Sequence, residues 1–296
     1  MSMKLVITGA NGLIGKRFLE AYADKYEILA LTRSKSLPSD ESREVVWQST
    51  DYSVVSLVDI FSNADAVLHL ASMRPYAKGD CYLDNVTLDR AIFKAAAEAQ
   101  LKNITYLSSC SVYGRMNAPW LESDEVIPDT EYALSKAASE MMAKFFNEKA
   151  GLKIKVIRLA QVFTHDEYEG GLLSTFFRNA SLGYPLSVSV KGLSREYIYI
   201  KDVISALHQV VQSNKTSGVF NLGSGELASV RTIGEVIVNA FDNNELLQVD
   251  SNRRVINSLS LMSSEKFYHE FNWSPTFSLQ DAAHDIYTNF YEEADV

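Results

Sequence analysis

As far as Leu159, short apolar runs alternate with longer stretches whose apolar positions recur at helical spacing. Lys4-Leu5-Val6-Ile7-Thr8 has the form of a buried strand, and Leu13, Phe18, Leu19 and Tyr22 after it fall on one helical face. Further strands are predicted at 26–31, 44–48, 66–70, 104–107 and 154–159, with helices at 83–99 and 132–149 leading into the last two. Apolar strands alternating with amphipathic helices imply a parallel sheet covered on both faces. The expected class is α/β, a doubly wound parallel sheet of the Rossmann type.

Beyond Leu159 the alternation loosens. Strand-like pieces at 186–190, 196–200 and 219–222 mix with helical ones at 171–182, 202–211 and 233–241, the last with Ser229 close before it as a cap. The expected organisation is discontinuous: 1–162 with 195–223 forms the main sheet, and 163–194 with 224–296 forms a smaller mixed α/β lobe. The length of 296 residues fits two bodies of about 150 each.

Composition narrows the partners. With 37 acidic and 28 basic residues, a net charge of −9 argues against a nucleic-acid surface, which needs clustered cations to neutralise phosphates. Every long apolar stretch is broken by Asp, Lys or Glu, so no membrane span or signal peptide is expected. Two cysteines, Cys81 and Cys110, are too few for a disulfide framework and favour a cytoplasmic setting. His69, His165, His208, His269 and His284 have no ligand spacing, so no metal is expected.

The chemistry gathers where strands end. Gly9-Ala10-Asn11-Gly12-Leu13-Ile14-Gly15 lies between a strand and a helix, where glycines allow a tight turn and let backbone amides approach a pyrophosphate. The second strand ends in Thr32-Arg33-Ser34-Lys35, with no carboxylate to bond a ribose 2′-hydroxyl and two cations suited to a 2′-phosphate. NADP is therefore the expected cofactor, with NAD as the alternative. Tyr132 and Lys136 are one helical turn apart, and a neighbouring ammonium favours phenolate, so Tyr132 can act as a general base or acid. The fifth strand runs into Ser108-Ser109-Cys110-Ser111-Val112-Tyr113-Gly114, hydroxyls at the crevice end of the sheet.

The glycine turn, the serine-rich strand end and Tyr132-Ala133-Leu134-Ser135-Lys136, in that order, resemble the extended short-chain dehydrogenase/reductase family. Within it the likeness is to the NAD(P)-dependent nucleotide-sugar epimerase/dehydratase group. It spans essentially the whole chain: Val67-Leu68-His69-Leu70-Ala71, Asn85, the segment from Arg195 to Val203, Phe220-Asn221-Leu222-Gly223-Ser224-Gly225 and Phe271-Asn272-Trp273-Ser274-Pro275 all match. The resemblance implies that Tyr132 exchanges a proton with a substrate hydroxyl. Lys136 then binds the nicotinamide ribose and lowers the Tyr132 pKa, and Ser109 bonds the same substrate oxygen. It assigns Gly9, Asn11, Gly12, Leu13, Ile14, Gly15, Thr32, Arg33, Asp51, Leu70, Ala71, Tyr132 and Lys136 to the cofactor, and Ser109, Gln161 and Arg195 to the substrate. In an epimerase the transient ketone turns over and takes the hydride back on its other face. A homodimer through the Tyr132–Lys136 helix is also implied, with Ala137, Ala138, Met141, Met142, Phe145 and Phe146 as its apolar surface.

Departures from the family pattern shape the chemistry. Cys110 and Ser111 stand where dehydratases carry an Asp-Glu pair, which disfavours dehydration. Cys110 is also one residue too early for the proton-donating cysteine of a related epimerase-reductase type, and adjacent residues of an extended strand point opposite ways. It reads as a small buried apolar side chain. Gln161 replaces an Asn that contacts the substrate diphosphate, and Arg195 and Arg253-Arg254 are candidate cations for it. Trp120, Tyr113 and His165 are candidates for lining the cleft, with packing as the competing reading for the aromatics and a loop position for His165. The expected function is epimerisation of a nucleotide sugar. NADPH-dependent reduction of another carbonyl compound is the alternative, and a non-catalytic dinucleotide-binding sensor is the third reading.

Overall fold

The computed structural model describes residues 2–37, 45–73, 82–114, 118–168, 170–189, 194–250 and 259–292. In chain order the elements are β1 Met3–Thr8, α1 Leu13–Tyr22, β2 Tyr26–Thr32, β3 Val45–Ser49, α2 Val54–Phe61, β4 Ala66–His69, α3 Leu83–Glu98, β5 Asn103–Ser109, α4 Glu131–Ala150 and β6 Lys153–Leu159. There follow β7 Gln161–Phe163, α5 Leu172–Ser181, β8 Leu186–Ser189, β9 Ser194–Tyr199, α6 Ile200–Gln212, β10 Gly218–Leu222 and β11 Leu227–Ser229. The chain continues through α7 Val230–Ala240, β12 Leu247–Asp250, β13 Leu259–Ser260, α8 Glu265–Phe271 and α9 Leu279–Phe290.

Seven parallel strands form the main sheet in the order β10-β6-β5-β4-β1-β2-β3. The doubly wound expectation is met. Alternation along the strands feeds two apolar layers, because successive side chains point to opposite faces. On β1, Leu5 and Ile7 join the layer that holds Phe18 of α1 and Leu207 of α6, whereas Val6 joins the one holding Leu57, Phe93 and Ala143 of α2, α3 and α4. From β1 the chain winds outward one way to β2 and β3, and the other way to β4, β5 and β6. The carboxyl ends of β1 and β4 thus flank a topological switch point, where open α/β sheets bind ligands.

The later strands build two smaller sheets. β9 pairs with β11, β13 and β7, and β12 pairs with β8. α7 is capped as the sequence indicates, Ser229 Oγ accepting from Thr232 N at 3.0 Å. α9 begins in a capping box between Ser278 and Asp281, which satisfies two amides reciprocally.

Candidate active site

β1 ends at Thr8 and the chain turns through Gly9 at φ 71°. A side chain there meets both a left-handed backbone and a clash, since a Cβ would lie 2.6 Å from Ala71 N and 2.7 Å from Leu70 C. Gly15 is confined in turn, its Cβ position being 2.4 Å from Gly9 O. The glycines therefore seat α1 against the turn, and the turn against the end of β4. Gly12 is the N-cap of α1, with no side-chain cap and no acidic residue in the first turn. The turn, with Asn11, Leu13 and Ile14 around it, is a cradle that a pyrophosphate fits and a β-carbon at Gly9 or Gly15 would fill. A cleft of ≈ 450 Å³ opens beside Asn11, Gly12 and Leu13; Asp166 and Glu167 stand on its other side, Asp166 held by Arg17 at 2.7 Å.

The ends of β2 and β3 come together next to it. Thr32 is buried and its Oγ1 accepts from Ser34 N at 3.1 Å, while Arg33 is exposed. Thr50 N donates to Thr32 O at 2.9 Å, and the Tyr52 hydroxyl donates to Leu31 O at 3.1 Å. Asp51 accepts from Ser53 N at 2.8 Å and from Ser56 Oγ at 2.9 Å, bonds that hold its carboxyl below the usual range. Thr32, Arg33 and Asp51 thus share one edge of the sheet.

α4 carries the third group. Thr130 Oγ1 accepts from Ala133 N at 3.1 Å and so fixes the helix start two residues before Tyr132. Tyr132, Lys136 and Glu140 follow at one-turn intervals on one face. Lys136 is 2% exposed, its Nζ donates to Leu107 O at 2.9 Å, and it lies 6.0 Å from the centroid of the Tyr132 ring. Burial draws its pKa down, opposed by the charges of Asp89 and Glu140. Two residues after Leu107, Ser109 ends β5; its Oγ accepts from Ser111 N at 3.2 Å and from Ser111 Oγ at 2.9 Å. With both lone pairs engaged, the Ser109 hydroxyl proton is directed to another acceptor. The end of β5 and α4 thus bring together Ser109, Lys136 and, across one helical turn, Tyr132.

β7 and β9 present the remaining groups. Gln161 is in register with Tyr197, two residues along from Arg195, so strand alternation puts Gln161, Tyr197 and Arg195 on one face. Gln161 is half-buried and Arg195 exposed. Burial pushes the Cys110 thiol up to about 11, against a thiolate at neutral pH. Three cleft candidates fall elsewhere. Trp120 and Tyr113 stack at 5.0 Å between centroids, 3% and 0% exposed, and His165 packs on Phe290 at 4.1 Å. Packing explains all three. Arg253 and Arg254, like Cys81, lie outside the described residues.

A model of the NAD dependent epimerase/dehydratase family matches residues 5–223. The chain belongs to that family. In sequence it is similar to the dTDP-4-dehydro-6-deoxyglucose reductase of Escherichia coli, 25% identical over 300 residues covering 94% of each chain. In structure it is similar to the UDP-N-acetylglucosamine 4-epimerase of Bacillus cereus, with a TM-score of 0.87 and 29% identity over 98% of this chain and 97% of that one. The fold is also that of the UDP-glucose 4-epimerase of Thermus thermophilus, solved with NAD, with a TM-score of 0.80 and 20% identity over 97% and 100% of the two chains. The family resemblance carried by the motifs is borne out, and the family is one of enzymes.

Of the other buried groups near the candidate site, only Asn85 was marked by the motif match. Arg158 on β6 grips Glu140 with Nε at 3.1 Å and NH2 at 2.7 Å, while Ser108 Oγ donates to Glu140 at 2.6 Å. Arg158 NH1 also donates to the Tyr113 hydroxyl at 2.7 Å. This buried pair ties α4 to β5 and β6 one turn beyond Lys136. Asn85 accepts from Met73 N at 2.7 Å and donates to Met73 O at 3.3 Å, holding the chain that leaves β4. On α3, Asp89 sits on the stripe it shares with Ile92, Phe93 and Ala96. A carboxylate inside an apolar stripe is the one sequence signal that could have found it.

Proposed function

We propose that the protein is an NAD(P)-dependent epimerase of a nucleotide sugar, with Ser109, Tyr132 and Lys136 as its catalytic residues. The observation that carries this reading is Lys136, an ammonium buried one turn from Tyr132 and fastened to the strand that ends in Ser109. When bound, the nicotinamide supplies the hydride acceptor and donor. The chain's own groups handle the proton. The Tyr132 oxygen takes the proton of the substrate hydroxyl and returns it, the Lys136 charge favours the phenolate, and the Ser109 hydroxyl bonds the same substrate oxygen. Gly9, Asn11, Gly12, Leu13, Ile14 and Gly15 would hold the pyrophosphate, Thr32, Arg33 and Asp51 the adenosine end, and Leu70, Ala71, Tyr132 and Lys136 the nicotinamide end. Gln161 and Arg195, on one face of the β7–β9 pair, suit a substrate diphosphate. Dehydration is disfavoured because Cys110 and Ser111 offer no carboxyl acid or base.

We infer an NADP preference from exposed Arg33 and Lys35 at the end of β2; the NAD bound to the Thermus thermophilus enzyme marks the competing outcome. Equal or tighter binding of NAD in a titration would overturn this preference. The second reading, NADPH-dependent reduction, is favoured by Arg33 together with Gln161, and the Escherichia coli relative is a reductase. Incubation with UDP- and dTDP-sugars separates the two. Epimer formation without net cofactor consumption supports the first, and stoichiometric NADPH oxidation supports the second.

A homodimer through α4 also belongs to this proposal. Its apolar surface is narrower than the sequence suggested, because Ala137 is buried and Met142 and Phe146 pack into the monomer. Leu134, Met141 and Phe145 remain exposed at 57%, 73% and 55%, a stripe that a second copy would cover. The two-lobe division, with cofactor on the main sheet and substrate on the smaller lobe, and a cytoplasmic setting are proposals of the same rank. Among the described residues no helix is long and apolar enough to cross a membrane.

A further inference from the structure

Asp89 is 0% exposed and lies 20 residues from His69 and 17 from Tyr106 in sequence, yet it bonds both. His69 Nε2 meets Oδ1 at 2.8 Å and the Tyr106 hydroxyl donates to Oδ2 at 2.8 Å. Burial alone would push this carboxyl up. The bond and charge of His69, then the charge of Lys136, outweigh burial and hold it below the usual range. An ionised carboxylate only accepts, so His69 Nε2 carries the proton it shares with Oδ1. His69 Nδ1 is 2.6 Å from Thr8 Oγ1, which also accepts from Ala71 N at 3.2 Å. The network therefore runs under the crevice from the glycine turn and the end of β4, through α3, to β5.

Its far end is Lys136, whose Nζ stands 4.9 Å above the Tyr106 ring, so that Tyr106 links the ammonium to the carboxylate. The charged and titratable groups facing Lys136 are Asp89 from α3, Tyr106 from β5, and Tyr132 and Glu140 from α4. Glu140 is already matched by Arg158 at 2.7 Å. Asp89 shares its field between His69, bonded to it at 2.8 Å, and the ammonium of Lys136.

We propose that Asp89 is a positioning residue for the Tyr132–Lys136 pair: its buried carboxylate, held by His69 and Tyr106, supplies the negative field that keeps the Lys136 ammonium charged inside the protein. This rests on the catalytic reading of Tyr132 and Lys136. Without that field, desolvation governs Lys136, the ammonium loses its proton at lower pH, and Tyr132 loses the charge that favours its phenolate.

The test follows the Lys136 ammonium itself in protein labelled with ¹⁵N at the lysine Nζ, its signal assigned by loss in Lys136→Met. In Asp89→Asn, which keeps the shape but puts an NH2 donor in place of one carboxylate oxygen, the Lys136 titration midpoint falls by about one pH unit, within the range expected when an opposite charge is removed. The alkaline limb of the kcat/KM profile moves the same way. Asp89→Ser, a smaller neutral replacement, repeats the test if the first variant does not fold, and Asp89→Glu restores the midpoint. An unmoved midpoint in the folded neutral variants overturns the proposal, even if their stability falls, because that is a purely structural role. Absence of turnover in the wild-type protein would instead sink the enzymatic reading and leave the Lys136 titration to decide this one.

Discussion

Two lysines are buried against the main sheet, Lys136 from α4 and Lys155 on β6, toward opposite ends of its strands. Lys136 lies toward the carboxyl ends, bonded to Leu107 O, within the fields of Asp89 and Glu140. Lys155, on β6 near the amino ends, is 0% exposed and donates to Asn103 Oδ1 and to Ser213 O at 2.5 Å, both neutral acceptors. Burial, opposed by no anion, pushes Lys155 down to about 7. The same side chain on one sheet thus meets desolvation with and without compensating charge. A buried lysine is not a functional site by virtue of burial: at the carboxyl ends it is joined to Tyr132, to the Ser109 strand end and to buried carboxylates, and at the amino ends it only satisfies backbone and amide oxygens.

Each end can be perturbed separately. The largest effect is expected from Tyr132→Phe, which removes the phenol and keeps the ring; turnover of the nucleotide sugar should fall about 10²–10⁴-fold with dinucleotide affinity retained. Next is Glu140→Ala, which leaves Arg158 charged and unpaired in the interior. Chemical denaturation should register a loss of about 3–5 kcal/mol. A loss below about 1 kcal/mol would mean that water or another acceptor replaces the carboxylate.

At the amino ends the expected effect is smaller and depends on pH. Lys155 binds its proton less tightly in the folded protein than in the unfolded chain, where the value is near 10.5. Between about 7 and 10.5 the unfolded chain therefore binds more protons at this residue, and its contribution makes folded stability rise with pH. Lys155→Met removes that slope. Denaturation midpoints of the two proteins should diverge in favour of the wild type as pH rises through this window and hold a constant difference below it; a constant difference throughout would place the Lys155 pKa near its ordinary value.

Local spacing explains what the sequence disclosed. The glycine turn, Tyr132 with Lys136, and the end of β5 each lie within a few residues, where chain geometry alone sets the relation. The parallel sheet was legible because short, mostly apolar runs alternate with amphipathic helices. Three-residue or shorter strands such as β7, β11 and β13 were not, since their pairing comes from the tertiary fold. The amphipathic stripe of α9, Leu279, Ala282, Ala283 and Ile286, was readable but carries no chemistry to draw attention to it. Asp89 with His69 and Tyr106, and Glu140 with Arg158 and Ser108, join residues from three elements each, which no spacing rule connects. Tyr113 and Trp120 lie beside a catalytic segment, where cleft lining and packing were both open, and they stack inside the core.

The most direct test sets the two lysines against each other, by following epimer formation from a UDP- or dTDP-sugar with Lys136→Met and Lys155→Met at a pH where both are folded. Lys136→Met is predicted to lose turnover by at least the factor expected for removing general-acid or base support, about 10²-fold, while Lys155→Met keeps its kcat. Wild-type turnover by Lys136→Met would contradict the assignment of the active site.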